Sequence, residues 1–415
     1  MTAPIDSVLI DSVSIDSVPI DSVPIDSVPI DDAELEAGRL ARLQAEIDRS
    51  GCAAGLFYDP INVRYATGTS NMQVYALHNP CRYVWVPASG PTVLFEFKGC
   101  EHLSAGHAGV GEVRPAVSWY DFVSGGRVDE FAKLWAAELL DLLGSGPGDV
   151  AVDRLDPIGV AALAEHGVRV HDGQRVANRA RVIKTPSEIV AVRRAVDACD
   201  AAIEDLRNAA VPGHTEQEVW AELHRSNIAR GGEWLETRLL TSGHRTNPWY
   251  QECSDKTIEA GELLAFDTDL IGIGGYSVDI SRTWLVGDAA PTGQQQRLHD
   301  AARNQLLNNI DLCRPGASFA EVSARAAQPP QELQSVTNAA ILHGIGLCNE
   351  YPLVLNRDNF ASSGYDGEIE AGMVLCVEAL IAPPGGDEAV KLEEQILVTE
   401  QGPEVLSSSP LDLVV

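Results

Sequence analysis

Two apolar runs in the second half of the chain carry acids where strand residues should be apolar. Leu263 to Leu270 holds Asp267 and Asp269, and Gly274 to Thr283 holds Asp279, the two runs being joined by a Gly-rich turn at Gly272 to Gly275. A buried, unpaired carboxylate is costly enough that the protein must offset it. The anomaly recurs at Glu378 inside Val374 to Ile381 and at Glu393 inside Val390 to Val398, and His343 stands between them in Ala339 to Gly346. Taken singly, a strand acid faces solvent or an arginine, and a lone histidine is a satisfied core residue. Together, five acids and one imidazole on successive strands point to a metal centre. Five carboxylates in one pocket repel, and two divalent cations turn that repulsion into coordination. Mostly oxygen donors with one nitrogen suit Mn, Fe, Co or Zn and do not make a thiolate site.

The elements that must position these groups are legible as two blocks. Leu40, Leu43 and Ile47 trace a helical face that stops at Gly51. Short strands are expected at Ala54 to Tyr58, Tyr83 to Val86, Thr92 to Phe95, Val150 to Val152 and Val168 to Val170, with helices at Val128 to Leu143 and Pro157 to Glu165. This alternation predicts an α/β domain. Thr185-Pro186-Ser187-Glu188 forms a capping box with proline at the first helical position, followed by an apolar face through Val192, Val196 and Ile203. A second capping box, Thr215 to Glu218, opens a helix ending at Gly231-Gly232. The expected organisation is a disordered tail at 1–34, an N-terminal domain at 35–178 and a metal-binding domain at 179–415. The tail repeats Ile-Asp-Ser-Val every five residues, a period that fits neither helix nor strand.

Composition narrows the partners. The 415 residues hold 30 Lys plus Arg against 60 Asp plus Glu, a net charge of −30, which argues against nucleic acid or an anionic membrane surface. Nine of the acids fall in residues 1–36, outside the expected core. No run reaches the roughly 18 apolar residues of a membrane helix, and the start lacks the pattern of a signal peptide, so a cytoplasmic protein is expected. The eight cysteines include no Cys-x-x-Cys pair and read as reduced thiols.

The order Asp, Asp, His, Glu, Glu, with Gly-Tyr-x-x-Asp-Ile-x-Arg-Thr at Gly275 to Thr283, His-Gly-x-Gly at His343 to Gly346 and Lys-x-Glu at Lys391 to Glu393, resembles the metal site of the creatinase, prolidase and methionine aminopeptidase superfamily. That resemblance implies an α/β (α+β) chain: a creatinase-like N-terminal domain, then a pita-bread domain in which Asp267, Asp279, His343, Glu378 and Glu393 hold two divalent ions. It also implies a homodimer. Asp-Pro-x-Asn-x-Arg-Tyr-Ala-Thr at Asp59 to Thr67, Asn71-Met72-Gln73, Gly231-Gly232-Glu233-Trp234 and Asn247 to Cys253 are similar to the dimethylsulfoniopropionate lyases of the DddP type, a branch that forms dimethyl sulfide and acrylate. The Asp-x-Asp of that branch implies Asp269 as an additional ligand.

Two departures bear on the reaction. The superfamily's peptidases place one histidine before the first metal Asp and another before Glu-x-Pro, where this chain has Pro248-Trp249-Tyr250 and Asn349, so amide hydrolysis is disfavoured. The lyases carry an Asp at the position of Asn349 as the base, and a neutral amide cannot serve as one; a tyrosine expected five residues before His343 is Asn338. With Asn349 at the catalytic position, the base falls to a metal-activated hydroxide, Glu350 or a nearby tyrosine. A small carboxylate substrate with a sulfonium group would rest on the faces of Trp119, Tyr120, Trp249 and Tyr250. The alternative is a metallohydrolase of the X-Pro aminopeptidase or dipeptidase kind, and a third reading is a non-catalytic dimer that retains its metal.

Overall fold

The computed structural model describes residues 31–144, 148–333 and 339–414. The pentapeptide repeat and Asn338 therefore lie outside the described residues. A helix spans Asp32–Arg49 and begins inside the segment assigned to the tail. Asp31 caps it by accepting from the Glu34 amide, and Asp32 and Glu34 place negative charge at the positive end of the helix dipole.

The N-terminal sheet has six strands: β1 (Ala54–Phe57), β2 (Tyr83–Pro87), β3 (Val93–Glu96), β4 (Glu112–Pro115), β5 (Asp149–Val152) and β6 (Arg169–Asp172). Their order is β4-β3-β2-β1-β5-β6. β1 pairs antiparallel with β2 and parallel with β5, so the sheet is mixed. Helices at Val128–Leu143 and Pro157–Ala164 cover one face, where Trp135, Ala136 and Leu139 pack on Leu56, Trp85 and Phe95. β4 was not expected from sequence, since its half-exposed Glu-Val-Arg-Pro carries no apolar run for a periodic pattern to detect.

Both capping boxes form. Thr185 opens the helix Pro186–Ala209 and Thr215 opens Glu216–Ala229, which ends two residues before the glycine pair. The remaining strands are β7 (Leu240–Ser242), β8 (Leu263–Asp267), β9 (Leu270–Ile271), β10 (Ser277–Val278), β11 (Ser281–Leu285), β12 (Ala340–Ile345), β13 (Asn349–Leu355), β14 (Val374–Ile381), β15 (Val390–Thr399) and β16 (Gly402–Val405). They form sheets ordered β11-β8-β7, β10-β9 and β13-β12-β14-β15-β16, all antiparallel. The helix Gly293–Leu312 buries Leu298, Ala302 and Leu306 against Leu375, Val377 and Leu392.

The two blocks share a core in which Leu43, Phe57 and Tyr65 pack with Val192, Val196, Phe266 and Tyr276. Polar contacts also cross between them. Tyr65 Oη donates to the Ala180 carbonyl at 2.8 Å, and Arg64 pairs with Glu233. Arg64 lies so close to Gly275 that a Cβ there would sit 1.9 Å from its guanidinium, and Gly275 also has φ +78, so this turn requires glycine.

Candidate metal centre

The acids meet where the two larger C-terminal sheets face one another. Asp267 ends β8, Asp279 lies between β10 and β11, and the β8–β11 register sets Ser281 opposite Asp267. In the second sheet His343 pairs with Cys376 and Glu378 with Glu393 across adjacent strands. Strand alternation then sends Lys391, Glu393 and Gln395 to one face of β15, and Cys376 and Glu378 to one face of β14.

Two overlapping donor groups result. Asp279, His343, Cys376 and Glu393 each offer an atom within 4.8 Å of the others, and so do Asp267, Asp269 and Asp279. Asp279 belongs to both groups. His343 Nε2 lies 3.4 Å from Glu393, 3.6 Å from Asp279 and 3.8 Å from Glu378. Its Nδ1 donates to the Gly344 carbonyl at 3.1 Å, which leaves Nε2, facing the acids, as the nitrogen that could ligate a metal. Gly344 in turn permits the close approach of β12 and β13, because a Cβ there would lie 2.3 Å from the Tyr351 carbonyl oxygen.

These residues fit a divalent cation by a test independent of ligand counting. Asp279 Oδ1 is buried and has no hydrogen-bond partner, in a protein interior where such an atom is expensive. Electrostatics agree. Burial, then Asp267, Glu393 and Asp269, push the Asp279 carboxyl well above the usual carboxylate range. Burial, with Asp267 beside it, raises Asp269 to about 7. For Glu393 burial acts upward, but the Lys391 ammonium and His343 outweigh it and hold the carboxyl down to about 2. Asp269 adopts φ 36, a left-handed conformation that an Asp tolerates and that turns its side chain onto Thr237 Oγ1 at 2.6 Å.

Not every expected residue belongs here. Asn349 is exposed at the start of β13 and lines, with His343 and Tyr351, a cavity of about 1240 Å³ whose other wall includes Arg42, Arg175 and Arg179. Glu350 is corrected as a candidate base. Its side chain is fully shielded, accepts from Arg181 Nε at 2.8 Å and pairs with Lys184, so both oxygens are committed to cations. Trp119 is corrected as a substrate face, since it packs into the N-terminal core with its ring centroid 5.3 Å from that of Trp135. Tyr120 stacks on Phe122, with Tyr75 and Cys81 as neighbours, and these contacts place it in the N-terminal domain. Trp249 is buried with Ala265, Leu380, Ala382 and Ala389 and presents no free face. Tyr250 fits better. It is 61 % exposed, holds φ 72 and feels Glu378, Lys391, Asp267 and Glu393. Such left-handed strain in a non-glycine residue is characteristic of functional sites.

Two residues were missed. Lys391 is 1 % exposed, with Nζ 3.0 Å from Glu378 Oε2 and 3.4 Å from Asp267 Oδ2. Cys376 lies within reach of His343. The signal for both was present: each stands two residues from a named glutamate on the same strand, and therefore on its face.

Comparison with known proteins agrees with this geometry. Residues 190–400 match the metallopeptidase family M24, whose members depend on a dinuclear metal site, and residues 39–139 match the creatinase/prolidase N-terminal domain. The chain is 42 % identical over 377 residues to the dimethylsulfoniopropionate lyase DddP of Roseovarius nubinhibens, covering 89 % of this chain and 84 % of that protein. It is 40 % identical to the DddP of Roseobacter denitrificans, covering 92 % and 87 %. Among solved structures, the Xaa-Pro dipeptidase from Bacillus anthracis shares the fold at a TM-score of 0.75 and 23 % identity, covering 92 % of this chain and 100 % of that one. Among the described residues no helix is long and apolar enough to cross a membrane. Domain matches, full-length relatives and a pita-bread acid cluster converge: the chain belongs to metallopeptidase family M24, among the DddP-type dimethylsulfoniopropionate lyases.

Proposed function

We infer that the protein is a dinuclear metal-dependent lyase that cleaves dimethylsulfoniopropionate to dimethyl sulfide and acrylate. The observation that carries this reading is the convergence of Asp267, Asp269 and Asp279 on one point, in a chain 42 % identical to a DddP lyase. Asp267, Asp269, Asp279, His343, Glu378 and Glu393 would hold the ions, which supply Lewis acidity against the negative charge that develops on the substrate carboxylate. The proton on the carbon beside that carboxylate passes to water in the cavity lined by Asn349 and His343, and the electron pair left behind forms the C=C bond. The C–S bond breaks, and dimethyl sulfide departs with its electron pair.

The chain's own side chains define the rest. Tyr250 presents an aromatic face for the sulfonium group at the rim of the acid cluster. Asn349 sits beside His343 in the cavity and can donate to or accept from a substrate oxygen, but it cannot take the proton. Glu350, neutralised by two cations, does not take over as the base at that position. The wild-type protein should therefore be slow, and Asn349→Asp should restore a positioned base. Dimethyl sulfide released from dimethylsulfoniopropionate by the metal-loaded protein, measured by headspace gas chromatography with acrylate as co-product, is the test. No release from either the wild type or Asn349→Asp, together with proline release from an X-Pro dipeptide panel, would reverse the assignment in favour of hydrolysis.

A further inference from the structure

Lys391 is the member of the centre to which sequence reading attached no role, and it contacts three of the acids, as many as His343 does. Its Nζ lies 3.0 Å from Glu378 Oε2, 3.4 Å from Asp267 Oδ2 and 3.1 Å from Ser281 Oγ, and contacts Glu393 Oε2. An ammonium has three protons to give, and the acceptors here outnumber them. Ser281 Oγ itself donates to Asp267 Oδ1 at 2.8 Å or to Glu393 Oε2 at 3.1 Å, tying the same acids together a second time.

We propose that Lys391 is an internal counter-ion: it holds the ligand carboxylates together while the centre is metal-free and surrenders part of those contacts when divalent ions enter. This rests on the metal-centre reading above. Five carboxylates and one ammonium leave a strongly negative pocket, whereas five carboxylates, one ammonium and two divalent ions cancel. The oxygens that Lys391 engages on Asp267, Glu378 and Glu393 belong to residues a cation would coordinate, while Asp279 Oδ1 is left without a donor. The ammonium therefore acts with opposite sign on the two states. It offsets carboxylate repulsion in the metal-free protein, and it repels an incoming cation. A lysine that merely filled space would weaken both states when removed.

The experiment compares the full chain carrying Lys391→Gln or Lys391→Arg with the wild type, reading the Tm after chelator treatment and Mn²⁺ affinity by titration calorimetry. Lys391→Gln lowers the metal-free Tm and tightens Mn²⁺ binding at least about tenfold, as repulsion between a unit and a divalent charge a few ångströms apart requires even at water's dielectric constant. Lys391→Arg, which keeps the charge, stays near the wild type in both. A wild type that binds Mn²⁺ while Lys391→Gln binds it equally or more weakly overturns this proposal alone. A wild type that takes up no Mn²⁺ overturns the metal-centre reading along with it. If Lys391→Gln does not fold without metal, a crystal structure of the Mn²⁺-loaded wild type decides the matter. Nζ should have left at least one of Asp267, Glu378 and Glu393, and survival of every contact beside two ions refutes the exchange.

Discussion

Replacing Glu350 with glutamine separates a structural acid from a catalytic one. Glu350 accepts from Arg181 Nε at 2.8 Å and pairs with Lys184, and the side chains of the three are 0 %, 2 % and 2 % exposed. Lys184 Nζ also donates to the Arg181 carbonyl at 2.9 Å, and Arg181 contacts Asn62 and Asn178. The group thus binds the end of the helix Gly173–Arg181 to β13, across the boundary of the two blocks. Glutamine keeps the shape and removes the charge, which leaves two buried cations without their carboxylate. Breaking a buried pair in this way costs about 3–5 kcal/mol, a Tm loss on the order of 10 °C for a domain of this size. Urea unfolding should show a lower midpoint with an unchanged m-value. Adding Lys184→Met to Glu350→Gln should recover part of the loss, because it removes one orphaned charge. Dimethyl sulfide release per folded molecule should stay within a few-fold of the wild type. A variant with wild-type stability and release reduced by roughly a hundredfold, the effect of losing a general base, would show that Glu350 takes the proton and that the ion-pair argument is wrong.

Other perturbations follow from the same geometry. Asn349→Asp should raise dimethyl sulfide release by about 10²- to 10⁴-fold, the usual worth of a positioned base, with a new acidic limb in its pH profile. Trp119→Ala should destabilise by about 3–5 kcal/mol in urea unfolding, as loss of a buried aromatic does, without changing KM. Tyr250→Ala should do the reverse, with stability within about 0.5 kcal/mol because the ring is largely exposed and a raised KM for the sulfonium substrate. Burial with Asp267 lifts Asp269 to about 7, and burial lifts Glu394 to about 7. A folded-state pKa above the unfolded value stabilises at low pH and is lost as pH rises through the folded value. The metal-free Tm should accordingly fall between the ordinary carboxylate value, about pH 4, and about pH 7. The increment from added Mn²⁺ should grow over the same range, since coordination requires the charged carboxylates.

The parts of this fold that could be read from sequence are those where local chemistry and tertiary need coincide. Thr185 and Thr215 start helices because a side-chain oxygen and a glutamate three residues on satisfy the same free amides in any context. Asp267, Glu378 and Glu393 stood out because charge interrupts strands that are otherwise buried, and Asp279 because it falls between two such strands. Glu350 was misjudged because its two cations come from 166 and 169 positions away, and no local pattern brings Arg181 and Lys184 to β13. The aromatics failed for a similar reason. A tryptophan's ring looks the same in sequence whether it lines a pocket or, like Trp119, fills a core against Trp135. Lys391 was visible but unread, since a lysine two residues from a ligand is conspicuous only once the strand is known to face the acids.

Metal content, measured by inductively coupled plasma mass spectrometry on protein loaded with Mn²⁺ and then dialysed, tests the centre most directly. Asp279 is the carboxylate common to both donor groups, so the wild type should retain about two ions per chain, as a two-metal site requires, and Asp279→Asn should retain one or none. Equal metal in the two proteins, or none in the wild type, would contradict the account.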